Sequence, residues 1–319
     1  MEQIEAQQIS CDELEKIQFD LFILALGYEK RSVYLVEKYN ISTNHKIAVA
    51  HLGKQRLLNR KKNEIFIRNN NFEIIHASGE ETFPIDIILN IIKKDENAVV
   101  KILIDYSCMT KVWYAGIINT ITSLSFKCRK MEIYFSYTPA EFNALRRQKR
   151  ARFINSVVHE GQKKLSAAKP VALIIGLGLN NLRAEMLINS IKPAVIYYLY
   201  ADPANNIKYV QRVLRNNQEI IASSEIRNLY CYPLNDLNKI NNILTCLCLD
   251  LRLKYKIIIA PFGPKVFSLI SILIANRYPD LDVWRVSSGP DEPAIDRIPE
   301  GDPLIYKVDF AHDDTYAND

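Results

Sequence analysis

The sequence predicts an α/β protein made of two tandem Rossmann-like halves, each with a parallel sheet, related by an internal repeat. Three observations predict it. The apolar segments are short continuous runs, not alternating ones, which is the pattern of parallel strands covered on both faces. These runs alternate with helix-length stretches, as crossover connections require. A pair of loops also occurs twice at nearly one spacing. Lys111 follows Gly27 by 84 residues, and Lys265 follows Gly176 by 89. A repeat of about 150 residues is the size of a domain, not of a solenoid unit.

In the first half the apolar runs place strands near 20–26, 46–51, 72–76, 100–105 and 131–136. Helices fit between them near 29–40, 54–68, 83–94 and 111–125. The first run stops at Gly27, and the fourth stops at Asp105, with a helix start near Thr110. The second half repeats the scheme, with strands near 171–176, 194–200, 229–232, 255–260 and 281–286. Its helices fall near 181–190, 204–222, 235–251 and 265–277. Between the halves, 141–169 reads as a basic helix that ends around Gly161 and Pro170. Residues 304–310 read as one further strand. The expected division is therefore a first domain over 1–142, a basic linking helix over 143–169 and a second domain over 170–319. Arg68-Asn69-Asn70 and Arg215-Asn216-Asn217 echo one another at the end of the helix after strand two.

Composition narrows the class. A chain of 319 residues with 48% hydrophobic and 24% charged residues suits two soluble globular domains. No apolar run reaches the ~18 residues of a membrane span, so no membrane partner is expected. Residues 1–18 are polar and acidic, unlike a secretory signal. The six cysteines lack paired CxxC spacing, which reads as a reduced, cytoplasmic protein with buried thiols and no metal site. No cofactor is expected.

The loops that end strands one and four face the ligand crevice of an open α/β sheet. After strand four comes Asp105-Tyr106-Ser107-Cys108-Met109-Thr110-Lys111. Ser107 and Thr110 offer hydroxyls, the new helix offers free N–H groups, and Lys111 adds a charge, which together suit a phosphate or a ribose. The same residues also serve as ordinary caps. Gly27 precedes Glu29 and Arg31. Arg31 can grip a phosphate through its planar fork, and Glu29 can act as a base, or both can simply form a first helical turn. In the second half, Gly176 and Gly178 form a partial glycine-rich dinucleotide loop with Asp202 further on as a ribose ligand, an arrangement that also suits a methyl donor. Gly263 and Lys265 match the first half's strand-four loop. Arg146, Arg147, Lys149, Arg150 and Arg152 crowd five cations into seven positions. They form either an anion or nucleic-acid patch, or the solvated face of a linker.

The segment from Asp105 to Lys111 resembles the strand-to-helix motif of CRISPR-associated Rossmann-fold domains: an acid, a Thr or Ser, two glycines, then Thr-Lys. Cys108 and Met109 stand where those domains carry the glycines. The resemblance implies a sensor of cyclic oligoadenylates in prokaryotic antiviral immunity, assembled as a homodimer, with Ser107, Thr110 and Lys111 touching the ligand. Three functions stay open from the residues. One is a nucleotide-binding sensor. A second is an enzyme that cleaves a phosphodiester or N-glycosidic bond with Glu29 and Asp105 as its carboxylates. The third is a structural subunit that docks on nucleic acid, or on a nucleoprotein, through the basic cluster.

Overall fold

The computed structural model describes residues 2–51, 55–77, 83–92, 99–123, 128–143, 153–158, 169–222, 228–287 and 294–311. They form two compact units, one of Met1–Glu141 with Ala294–Asp319, the other of Phe142–Pro293.

The first unit runs through β1 (Glu2–Ile9), α1 (Cys11–Leu14), β2 (Gln18–Leu26), α2 (Tyr34–Lys38), β3 (Ser42–His51) and α3 (Arg60–Asn69). It continues with β4 (Glu73–Ala77), α4 (Asp86–Ile92), β5 (Val99–Asp105), α5 (Lys111–Ser123) and β6 (Lys130–Tyr137). The second unit holds β7 (Phe153–Ser156), β8 (Val171–Gly176), α6 (Asn181–Ile191), β9 (Val195–Ala201), α7 (Ile207–Asn216), α8 (Gln218–Ala222) and β10 (Leu229–Tyr232). It ends with α9 (Leu237–Leu251), β11 (Lys256–Pro261), α10 (Lys265–Arg277) and β12 (Asp282–Ser287), after which the chain returns to the first unit as β13 (Leu304–Ala311).

The first sheet has the order β1-β13-β6-β5-β2-β3-β4, the second β10-β9-β8-β11-β12-β7. Counted within each half, the five parallel strands lie in one order, 3-2-1-4-5. The expected repeat is therefore present in strand order as well as in loops. In both units the order reverses between strands one and four, the place where a doubly wound sheet ordinarily leaves a crevice between its loops. Strands β2, β5, β8 and β11 are central, and their continuous runs are buried almost throughout, as two covered faces demand.

Several boundaries differ from the sequence expectation. The linking helix over 143–169 is replaced at Phe153–Ser156 by β7, antiparallel to β12. Its exposure alternates along Phe-Ile-Asn-Ser, the period of a strand with one face covered. The five basic residues from Arg146 to Arg152 lie outside the described residues. The strand at the chain's end exists, but it joins β6 of the first unit over eight residue pairs and does not extend a second domain over 170–319. β1, an edge strand rich in Glu and Gln, carries little apolar signal and was not foreseen. The helix expected over 29–40 shortens to a 3-10 turn at Lys30–Ser32 and the five residues of α2. Ser32 ties the 3-10 turn back to the end of β2: its hydroxyl accepts from the Gly27 N–H at 2.8 Å and donates to the Ala25 carbonyl at 2.9 Å.

Candidate functional site

In the first unit the loops after β2 and β5 meet at the crevice. A Cβ on Gly27 would stand 3.1 Å from the Cys108 Cβ, so the missing side chain allows the two loops to approach. The inward face of α3 holds the first loop in place. Asn63 Nδ2 donates to the carbonyls of Gly27 at 3.0 Å and Glu29 at 2.9 Å. Asn59 Nδ2 reaches the Asp296 carboxylate at 2.8 Å, and the Lys30 N–H donates to the same carboxylate at 2.9 Å. Nothing in the sequence pattern singled out Asn59, Asn63 or Asp296, because each acts on a residue distant in the chain.

Glu29 is the hub of this loop. It accepts from Arg31 Nε at 2.6 Å and from the Cys108 thiol at 3.8 Å, and Arg297 lies 3.7 Å away. Arg31 is 1% exposed, donates from Nη1 to the Thr138 carbonyl at 3.1 Å and lies over the Tyr137 ring. Burial works against its charge, but the Glu29 carboxylate together with the nearby Tyr137 and Cys108 side chains outweighs burial and raises its pKa. The expected roles of these two residues are thus corrected. Arg31 points inward as the partner of Glu29, not outward as a phosphate fork, and Glu29 is engaged by two hydrogen-bond donors and a more distant Arg297 charge.

Asp105 and Ser107 are also turned to structure. Asp105 is 2% exposed, and its Oδ1 accepts the Ser107 N–H at 2.9 Å. The Ser107 hydroxyl accepts the Thr138 N–H at 2.8 Å, which ties the end of β5 to that of β6. A buried acid in a local turn and a buried hydroxyl are poorly placed to touch a ligand. Thr110 Oγ1 accepts the Trp113 N–H at 3.3 Å and so caps α5. Thr110 and Lys111 are half-buried at the helix start, at the edge of the crevice.

In the second unit Lys265 opens α10 as Lys111 opens α5. Both helices are 13 residues long, and both follow strand four. Two residues on, each carries a fully buried aromatic. Trp113 stacks on His51 with centroids 4.0 Å apart, and Phe267 stacks on Tyr232 at 5.3 Å. The glycines of this unit serve packing. A Cβ on Gly178 would stand 2.1 Å from the Phe262 carbonyl oxygen, one on Gly263 2.7 Å from that of Leu177, and one on Gly176 2.5 Å from the Phe267 ring. The two crevice loops therefore press backbone against backbone. This corrects the dinucleotide-loop expectation, because Gly178 and Gly263 are occupied by each other's loops. Asn217 locks the arrangement, donating to the Gly178 carbonyl at 2.9 Å, and Asn216 donates to that of Leu179 at 2.6 Å. Asn217 and Asn70 follow the last residues of α7 and α3, so the Arg-Asn-Asn echo falls on matching helix ends. Asp202 follows β9, half-buried, and its N–H donates to the Tyr232 carbonyl at 2.8 Å.

No protein-family model matches the chain, and no curated protein matches it. Among solved structures it is similar to the "cytoplasmic domain of a prokaryotic cation chloride cotransporter", with 10% sequence identity and a TM-score of 0.23. That match covers 86% of this chain and 98% of the other, and so slight a likeness carries no conclusion about function. Among the described residues no helix is long and apolar enough to cross a membrane.

Proposed function

We propose that the protein is a nucleotide-binding sensor or regulator that takes an anionic nucleotide at the carboxyl ends of its strands. The observation that supports this most is the repeated lysine. In each unit strand four ends at the crevice, turns within a few residues and starts a helix on Lys111 or Lys265. A cation on the first residue of a helix adds its charge to the backbone N–H groups of the helix start, and the two together suit an anion. The resemblance of Asp105–Lys111 to CRISPR-associated Rossmann-fold domains adds the biological class, a prokaryotic antiviral defence system. Binding without turnover is favoured over catalysis because Glu29 and Asp105 are both engaged by neighbouring donors.

The test compares Lys111→Ala with Lys101→Ala, a lysine near the opposite end of β5. A charge-assisted contact is worth about 1.5–3 kcal/mol, so Lys111→Ala should weaken a bound adenine nucleotide or oligoadenylate tenfold or more in calorimetric titration. Lys101→Ala should leave the affinity unchanged. Equal losses from both would refute the crevice, and conversion of the nucleotide to product would refute a pure sensor.

A further inference from the structure

The first turn of α3 carries a sign of an anion that is independent of Lys111. Arg60, Lys61 and Lys62 open this ten-residue helix with no acid among them, and Asn59 makes no side-chain capping bond to it. Three cations at the positive end of a helix dipole are electrostatically unfavourable. Lys61 and Lys62 are exposed, so water screens them. Arg60 has no such relief, because its side chain is 1% exposed.

The direction of that side chain follows from its helix. Arg60, Asn63 and Ile67 are the buried positions of α3, so they form its inward stripe. Asn63, one turn on, already reaches the Gly27 loop. Arg60 therefore sits on the sheet side of α3, one turn before Asn63, whose bond to Gly27 puts this face of the helix beside the carboxyl end of β2. Its Nη1 donates to Glu64 Oε2 at 2.6 Å. Its Nε and Nη2 atoms are buried and have no hydrogen-bond partner among the described residues. Those two N–H groups lie on one edge of the guanidinium and point in parallel, which is the fork that takes a carboxylate or a phosphate through two bonds. Glu64 does not fill it, since its other oxygen accepts from Arg68 Nη2 at 2.9 Å. The cluster Arg60, Glu64 and Arg68 thus keeps one net positive charge. A buried, charged donor left without an acceptor is strongly disfavoured, and two on one edge call for an acceptor that the described residues do not supply.

We propose that the Nε–Nη2 edge of Arg60 is a binding site for one phosphate-class oxyanion, at the carboxyl edge of the first unit's sheet and distinct from Lys111. The site keeps the anion out of water, where charge-assisted bonds are strongest. Two sources share this chemistry, free inorganic phosphate and the phosphate of a nucleotide.

The experiment titrates inorganic phosphate and, separately, adenosine 5′-monophosphate into the full chain, its Arg60→Lys and Arg60→Met variants, and Lys111→Ala. Arg60→Lys keeps the charge and removes the fork, so it should bind at least tenfold more weakly, with Arg60→Met weaker still. Lys111→Ala should bind inorganic phosphate as the unsubstituted chain does. Binding of the nucleotide alone, lost in Arg60→Lys, would support the site and assign its source. As a readout that needs no variant, crystals of the unsubstituted chain grown with selenate should show anomalous density within hydrogen-bonding distance of Arg60 Nε and Nη2. Phosphate and nucleotide affinity untouched by Arg60→Lys, no binding of either, or no selenate at that edge would overturn the proposal. Loss of nucleotide binding in Lys111→Ala but not in Arg60→Lys would overturn it while leaving the Lys111 crevice intact.

Discussion

Gly178 shows how one residue pattern serves two ends. Gly-x-Gly after a central strand reads as a phosphate loop because a missing Cβ lets something approach the backbone. Here the approaching group is the carbonyl of Phe262, and the reciprocal contact falls on Gly263. The sequence shows that a close approach is needed but not what approaches, so the glycines were legible as special and their partner was not. Asn181, where the third glycine would stand, was the visible departure. Gly178→Ala should therefore cost about 1–3 kcal/mol, as overpacking does, since one loop must shift. Gly116 lies inside α5 with nothing within 4 Å of a Cβ added there. Gly116→Ala should stabilise the chain by about 0.5–1 kcal/mol through helix propensity. Urea unfolding of the two variants checks both signs, and a Gly178→Ala chain as stable as the parent would show that the loops do not need to touch.

At the scale of elements, a charge network reinforces the ladder that joins β6 to β13. Lys130 Nζ lies 2.7 Å from Asp309 and 3.2 Å from Glu132, and Lys307 Nζ lies 3.2 Å from each of the same carboxylates. The Tyr134 hydroxyl donates to Glu132 at 2.9 Å. Glu132 sits opposite Asp309 in the antiparallel register, so the two carboxylates adjoin and the two lysines neutralise them. Both strands were legible as apolar runs, but their pairing was not, because the residues that pair are distant in sequence. Burial alone would raise the Glu132 pKa. The bonds from Tyr134 and Lys130 and the charge of Lys307 outweigh it and hold the pKa below its ordinary 4.5. A carboxyl depressed in the folded state stabilises above its unfolded pKa and loses that contribution as pH falls through its folded value. Unfolding free energy should hardly change on this account between neutral pH and about 5, then fall below about 4.5. Glu132→Gln should cost about 1–3 kcal/mol at neutral pH and flatten the acid decline. An unchanged acid slope in that variant would assign the decline to other carboxyls.

At the scale of the whole molecule, each half lends the other its sixth strand. β7 follows β6 along the chain but pairs antiparallel with β12, and β13 follows β12 but pairs antiparallel with β6. The repeat is thus five parallel strands in the order 3-2-1-4-5 with an antiparallel sixth, and the sixth strands are exchanged. Periodicity identified the parallel strands because a run covered on both faces is a local property. It could not reveal the exchange, because which sheet a strand joins depends on edges more than a hundred residues away. The exchange changes where the chain can be cut. A cut at 169/170, which tandem domains would suggest, leaves both sheets without their sixth strand. Residues 142–293 keep β7 on β12 and should fold alone, with one cooperative unfolding transition. Residues 1–141 lack β13, so they leave open the edge of β6, which is buried over nearly its whole length. An open apolar edge of that length invites pairing between chains, so this fragment should aggregate alone and become monomeric when a peptide of residues 294–319 is added. Light scattering and unfolding curves of the fragments decide the matter. If residues 1–141 are monomeric and cooperative without the peptide, β13 is dispensable to the first sheet and the exchange contributes nothing to its stability.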